Sequence, residues 1–254
     1  ITDHDNILAF KHAQAAARQL SEKKGLPEID IIPGIEVNTI HEKAEVHVLG
    51  YFFDETNKAL LDMITFQQHA RIEQLSKIVE KLNEIAKIKI TMEDITSLVH
   101  PGGSVGRPHM AKAIVNVGGV CNTIEAYKRF INDDAPVYLQ RHTVSPHDAV
   151  EIIYEAGGIP VLAHPHSITE PEKLIKDLMN YGLRGVEVYH RRHSPPIIEY
   201  LSTIAENYGL IKTGGSDCHG VKVGMNYHLG KTHVPDWVLT ELKQEKSRLE
   251  IAMG

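Results

Sequence analysis

From Pro136 onward the sequence alternates apolar runs of strand length with amphipathic stretches of helix length. Ser145 to Ala156, Glu172 to Tyr181 and Pro195 to Tyr208 read as helices, and Ile159 to Ala163, Gly185 to Tyr189 and Leu210 to Gly214 as the strands between and after them. Repeated βα units of this length demand parallel strands with right-handed crossovers, which restricts the chain to an α/β barrel or a related closed sheet. The strand Ile159 to Ala163 is apolar on both alternating faces, as expected of a strand covered from both sides, and runs into His164-Pro165-His166. Ligands in such sheets gather at the carboxyl ends of the strands, so His164 is expected to point into the site.

The first half of the chain is less regular. Ile1 to Asp5 reads as a strand end and turn with His4 and Asp5 at its tip, followed by a helix over Ile7 to Lys24 that Gly25 closes. Ile29 to Val37 is a strand candidate interrupted by Pro33-Gly34, with Glu36 in an apolar context. In Glu45 to Phe53, the period of two puts Glu45, His47, Leu49 and Tyr51 on one face and Val46, Val48 and Phe52 on the other. Asn57 to Lys87 carries apolar residues at helical spacing, and further helices are expected around His109 to Val117 and Thr123 to Asn132, punctuated by Gly102-Gly103-Ser104 and Gly118-Gly119. With strand-like runs scarce there, residues 67–135 read as a helical insertion or lid in a βα framework made of 1–66 and 136–254, which ends in an amphipathic helix over Trp237 to Leu249.

Composition narrows the chemistry. A net charge of −6 argues against a general basic surface for duplex DNA, while leaving room for a local Arg/His pocket for a small anion. Sixteen histidines raise the expectation of a metal site. Cys121 and Cys218 form no spacing pattern, which fits a reducing, cytoplasmic setting, and no apolar run reaches membrane-spanning length. Gly102 to Gly106 lacks the lysine and preceding strand of a phosphate-cradling P-loop.

Four strand ends carry metal-type side chains: His4, Glu36, His164, and Asp217 with His219, while His47 sits within a fifth strand. Taken singly, a histidine such as His4 or His47 is ordinarily a hydrogen-bonded structural residue. Together, single ligands from successive strands are what a metal cluster at a barrel mouth requires. Cys218, lying between two proposed ligands, is expected to face away from them.

Thr2-Asp3-His4-Asp5, Pro33-Gly34-Ile35-Glu36, Glu45-Val46-His47-Val48-Leu49-Gly50, Leu162-Ala163-His164-Pro165 and Gly215-Ser216-Asp217-Cys218-His219-Gly220, in that order, resemble the PHP (polymerase and histidinol phosphatase) metallo-phosphoesterases. Gly106-Arg107-Pro108-His109 in a helical insert, then Ala156-Gly157-Gly158, is similar to the branch of nucleoside 3′,5′-bisphosphate phosphatases and RNA-trimming enzymes. The resemblance implies a distorted (β/α) barrel of the PHP type with a helical insertion domain. It also implies two to three divalent ions, manganese first and iron or zinc as alternatives. Glu36 would then bridge two ions, His47 and His164 would complete one site, Asp217 would serve the other, and His4 with His219 the third. Closely spaced cations suit phosphoryl chemistry because they activate water at neutral pH and neutralise charge on entering and leaving oxygens.

On this reading Glu36, Asp217 and His219 are catalytic, and Arg107 and His109 orient the substrate, the competing reading being that they only start and cap a helix. The expected reaction is hydrolysis of a phosphomonoester on a small nucleotide, most plainly a nucleoside 3′,5′-bisphosphate, with 5′-3′ trimming of short RNA. Histidinol phosphate is the rival substrate and a catalytically inactive metal-binding module the rival class. Partners are expected to be the small nucleotide or RNA end, with no membrane and no duplex DNA, and a monomer suffices. Arg141, His142, Arg191, Arg192 and His193 are further basic candidates, most expected to be solvated. Family members open with a His-x-His strand and an Asp-Gly turn, so the native protein is expected to continue upstream of Ile1. A polypeptide starting at Ile1 is expected to be inactive or poorly folded.

Overall fold

The computed structural model describes residues 1–100, 103–132, 134–219 and 228–253. Two positions from the motifs above, Gly102 and Gly220, lie outside the described residues. Helix α1 (Ala9–Lys24) ends where Gly25 takes a left-handed φ of 62°. Strand β1 (Gly34–His41) begins immediately after Pro33, which has no N–H to give to a ladder. Gly34 is required there by close approach: a Cβ would stand 2.7 Å from the Ile1 carbonyl and 2.7 Å from Cγ2 of Thr2. The N-terminal segment thus lies against β1, with His4 opposite Glu36 in a parallel bridge and the Asp5 N–H donating to the Glu36 carbonyl at 2.9 Å.

Strand β2 (Ala44–Tyr51) folds back antiparallel on β1 through Glu42-Lys43, both with positive φ (47° and 74°), the geometry of a two-residue hairpin turn. Helix α2 (Lys58–Glu84), capped by the Asn57 side chain on the Leu60 N–H, runs for 27 residues, about 40 Å at 1.5 Å per residue. Then come α3 (Met92–Thr96), α4 (Arg107–Asn116), and α5 (Thr123–Ala126), which runs into a π-type turn over Tyr127–Ile131. The alternating half follows as α6 (Pro146–Glu155), β3 (Ile159–Leu162), α7 (Pro171–Met179), β4 (Gly185–His190), α8 (Pro195–Tyr208) and β5 (Ile211–Gly215), closed by α9 (Trp237–Met253).

The strands form one mixed sheet in the order β1-β2-β3-β4-β5. The βα repeats deliver parallel pairing from β3 to β5, as their spacing predicts, whereas β2 pairs antiparallel with both β1 and β3. A two-residue link cannot make a parallel crossover, so the hairpin direction is forced.

Alternation along the strands sorts the core into two faces. Ile35, Val37, Val46, Val48, Leu162, Val186 and Val188 pack with Leu60 and Ile64 of α2, Ile153 of α6, Ile175 of α7 and Ile204 of α8. On the other face Leu49, Ile159, Val161, Ala163 and Ile211 pack with Leu242 and Leu249 of α9. A third cluster has its own apolar interior, in which Leu75, Ile78 and Leu82 from the second half of α2 meet Ile95, Ile114 and Ile131. Helix α2 therefore belongs to two cores at once. No helix among the described residues is long and apolar enough to cross a membrane.

Candidate metal centre

The hairpin and the β2–β3 pairing bring three ligand-type side chains together. Register sets Glu36 of β1 against Leu49, one pleat from His47 of β2, and the Ala163 N–H donates to the His47 carbonyl at 3.0 Å, so His164 leaves β3 beside His47. Glu36 Oε1 lies 2.7 Å from His47 Nδ1 and 3.0 Å from His164 Nε2, and those two nitrogens are 3.2 Å apart. His4 adds its Nδ1 at 3.7 Å from Glu36 Oε2. Beyond β5, His219 Nδ1 stands 3.4 Å from Asp217 Oδ1, and the His219 ring reaches within 5.7 Å of the His4 ring. The structure thus joins all six residues expected as ligands: His4, Glu36, His47 and His164 form a tight group, and Asp217 with His219 adjoins it through His4.

This donor set fits divalent cations. A carboxylate oxygen and two imidazole nitrogens at mutual distances of 2.7–3.2 Å resemble the edge lengths of a polyhedron built on bonds of about 2.0–2.2 Å. His47 Nε2 and His4 Nδ1 are buried without hydrogen-bond partners among the described residues, and His4, Glu36 and His47 each offer a ligand atom within 4.8 Å of the others.

The electrostatics are those of a buried carboxylate held among imidazoles. Burial alone would raise the Glu36 carboxyl, but attraction to His4 and hydrogen bonds from His164 and His47 outweigh it and hold Glu36 well below the usual carboxylate range. His47 is pushed toward the neutral form by burial, yet its hydrogen bond and attraction to Glu36 carry the net shift upward. Burial lowers His4 to about 4. Asp217 also ends below its ordinary value, because contact with His190 and the charge of His219 overcome its desolvation.

Backbone conformation is constrained at the same places. Asp5, His164 and Asp217 have φ of 49°, 24° and 47°. Such conformations cost non-glycine residues about 1–3 kcal/mol each and cluster where function over-determines the geometry. Pro165 disfavours the ordinary helical region for His164, and the carboxylate of Glu187 holds the His164 N–H at 2.8 Å.

Glu187 is a site residue that sequence reasoning did not single out. It is 5 % exposed in the middle of β4, and desolvation raises its carboxyl to about 7. His190, whose Nε2 is 3.5 Å from Asp217 Oδ2, is another. The available signals were a lone carboxylate inside an apolar strand and a histidine at a strand's carboxyl end, the criterion that found His164. Ending the strand at Tyr189 hid the second.

Asp5 anchors a buried polar group next to His4. Its carboxylate, 1 % exposed as a residue, takes Arg71 Nη2 at 2.5 Å, Gln67 Nε2 at 3.2 Å and the Asn38 N–H at 3.1 Å, with Arg141 Nη2 at 3.6 Å. Two guanidiniums share one carboxylate. The expectation that the extra basic residues are mostly solvated is corrected for Arg141 and His193, at 9 % and 7 % exposure, because Arg141 is drawn in by Asp5 and His193 by the Val188 carbonyl. Arg191 lies 3.4 Å from Asp217 Oδ2.

Arg107 and His109 are not among the clustered ligands. Arg107 Nη2 donates to Glu45 Oε1 at 2.7 Å and to the Tyr138 hydroxyl at 2.8 Å, with its guanidinium 4.9 Å from the Tyr138 ring centroid. His109 Nδ1 accepts the Gly106 N–H at 3.2 Å, closing the start of α4. Glu45 is two residues before His47 on the same strand, so the start of α4 is tied to the strand that carries a central ligand.

No family model matches the chain. It is similar to the 5′-3′ exoribonuclease Rnm of Salmonella typhimurium, 30% identical over 86% of this chain and 74% of the relative. It is 28% identical to the Rnm of Escherichia coli, over 99% of this chain and 86% of that one. The 3′,5′-nucleoside bisphosphate phosphatase of Chromobacterium violaceum is likewise 28% identical, over 86% and 75%. Among solved structures, a Bifidobacterium adolescentis protein assigned as a metal-dependent phosphoesterase superposes with a TM-score of 0.81 at 29% identity, covering 95% of this chain and 83% of that chain. A mixed α/β sheet that gathers histidines and carboxylates from within its strands and beyond their ends into one cluster, in a chain this similar to enzymes that hydrolyse phosphoesters, has one consistent reading: the chain belongs to the PHP-type phosphoesterases and is a phosphoester hydrolase.

Proposed function

We propose that this hydrolase removes a phosphate from a small nucleotide, a nucleoside 3′,5′-bisphosphate first, and also trims short RNA from the 5′ end. The observation that carries the proposal is the convergence of His47 and His164 on one oxygen of Glu36, at 2.7 and 3.0 Å. Two or three divalent ions, manganese before iron or zinc, would supply Lewis acidity and activate water at neutral pH. Glu36 would bridge two of them, His47 and His164 would complete one position, Asp217 the next, and His4 with His219 the third. In these roles Glu36, Asp217 and His219 are the catalytic residues.

The remaining residues would bind and orient. Arg71 and Arg141 together carry one more positive charge than Asp5 neutralises, beside His4, which suits the non-reacting phosphate of a bisphosphate. Arg107, at the start of α4, would close over the nucleotide by exchanging Glu45 for phosphate, and His109 would present the ring nitrogen not used in its cap. The separate apolar interior around Ile114 supports treating residues 67–135 as a helical insertion on a distorted barrel made of 1–66 and 136–254.

The test is a substrate panel with added manganese: adenosine 3′,5′-bisphosphate, a 5′-phosphorylated short RNA and histidinol phosphate. Fastest phosphate release from the bisphosphate, with mononucleotide release from the RNA, and loss of both on chelation and recovery with manganese, is the expected result. A preference for histidinol phosphate, or no release from any substrate by a protein that retains its ions, overturns the assignment.

A further inference from the structure

Beside the Glu36 group lies a second set of imidazoles to which the phosphoesterase reading assigns no metal. His166 sits in the single 3-10 turn Pro165–Ser167 after β3, His190 ends β4, and His193 precedes α8. One ring nitrogen from each lies within 4.8 Å of the other two. His190 and His193 are 3 % and 7 % exposed. Nδ1 of His166 and Nε2 of both His190 and His193 are buried with no hydrogen-bond partner among the described residues. Among those residues His190 Nε2 has only the Asp217 carboxylate at 3.5 Å, and buried ring nitrogens left this poorly satisfied in one small volume are costly unless something binds them.

We propose that His166, His190 and His193 form an all-nitrogen site for a borderline transition-metal ion of the Zn2+ class. The ring centroids are 5.2, 5.3 and 5.7 Å apart. Tetrahedral coordination with Zn–N bonds of about 2.0–2.1 Å sets the centroids of three imidazole ligands roughly 5.2 Å apart, so the rings stand near ligation distance. His193 Nδ1 donates to the Val188 carbonyl at 2.8 Å, which fixes the tautomer and turns the Nε2 lone pair inward, the usual outer hydrogen bond of a metal-binding histidine. The Arg192 N–H approaches His190 Nδ1 at 3.3 Å, a long contact that would be given up as Nε2 loses its proton to a metal and Nδ1 takes one. With no carboxylate in the triplet, the site favours zinc, cobalt or nickel over manganese or magnesium, unlike the Glu36 group. His166 is the half-buried member and gives the ion its way in. A metal here would tie the carboxyl ends of β3 and β4 together and take His190 Nε2 from its 3.5 Å contact with Asp217.

The experiment uses the full chain, stripped with chelator, loaded with Zn2+ or Co2+ and desalted. Ions per chain are counted by elemental analysis, and the visible absorption of tetrahedral cobalt is recorded. His166→Ala removes a half-buried ligand, His193→Gln a buried one, and Glu36→Gln with His47→Ala disables the other centre; far-UV ellipticity checks folding, and His166→Ala decides if His193→Gln does not fold. The inference expects His166→Ala to hold one zinc fewer than the parent and to lose the tetrahedral cobalt band, while the Glu36/His47 variant keeps both. Equal zinc counts and cobalt spectra in parent and His166→Ala overturn it, as does complete loss of zinc from a folded Glu36/His47 variant. Neither result depends on which phosphoester the enzyme cleaves.

Discussion

Glu187→Gln isolates the electrostatic cost of building the centre. The carboxyl lies in β4 at 5 % exposure, accepts the His164 N–H at 2.8 Å, and is raised by desolvation from the ordinary value near 4.5 to about 7. Between those two pH values the folded chain keeps a proton that the unfolded chain has released, so folding stability falls as pH rises through the window and levels off above it. At about 1.4 kcal/mol per pH unit, the displacement corresponds to about 3 kcal/mol lost from this group between pH 4.5 and 7. Glutamine keeps an oxygen for the His164 N–H and cannot ionise. In metal-free protein with chelator present, urea titrations at half-unit steps from pH 4.5 to 8 give the stability of parent and variant, and their difference removes titrations common to both. The variant should gain on the parent by about 3 kcal/mol from the acid to the neutral end, with the change complete near pH 7.5. A difference that stays flat across the window refutes the idea that Glu187 is held protonated by burial.

Three further outcomes follow from the same geometry. Glu36→Gln removes the charge shared by His47 and His164 and should lower metal-dependent kcat/KM by more than about 100-fold, roughly 2.7 kcal/mol of transition-state stabilisation, measured by phosphate release with saturating manganese. Asp5→Asn strands the Arg71 and Arg141 guanidiniums without their carboxylate and should cost about 3–5 kcal/mol, read from urea midpoints at pH 7. Ile114→Ala, fully buried in the third cluster, should cost about 2–5 kcal/mol in the same measurement while leaving the ion count of the folded protein unchanged, because that interior contains none of the clustered ligands.

What was legible in the sequence follows the range of the interaction that had to be read. The βα alternation after Pro136 depends on local periodicity, and α8 occupies the expected Pro195–Tyr208 while β3, β4 and β5 agree to within a residue at each end. His164, Glu36 and Asp217 stand out in the sequence because a polar side chain within or just after an apolar run is conspicuous in one dimension. The hairpin direction was not, since Glu42-Lys43 carries none of the Asn or Gly that usually marks positive φ, and the turn is imposed by the strands it joins. Glu187, and the partners of Asp5, escape the sequence for a different reason. A sequence counts charges but does not say which of them share a partner, and both carboxylates are defined by what surrounds them in three dimensions. Asp5 is reached by Arg71 from 66 residues away, and Glu187 meets the His164 backbone from 23 residues away. The two carboxylates occupy opposite electrostatic settings beside one cluster: Asp5 lies between guanidiniums, whereas among the described residues the attraction of His164 does not offset the burial of Glu187. The strained backbones of Asp5, His164 and Asp217 stand where the chain turns away beside β1 and beyond the ends of β3 and β5, next to the clustered side chains.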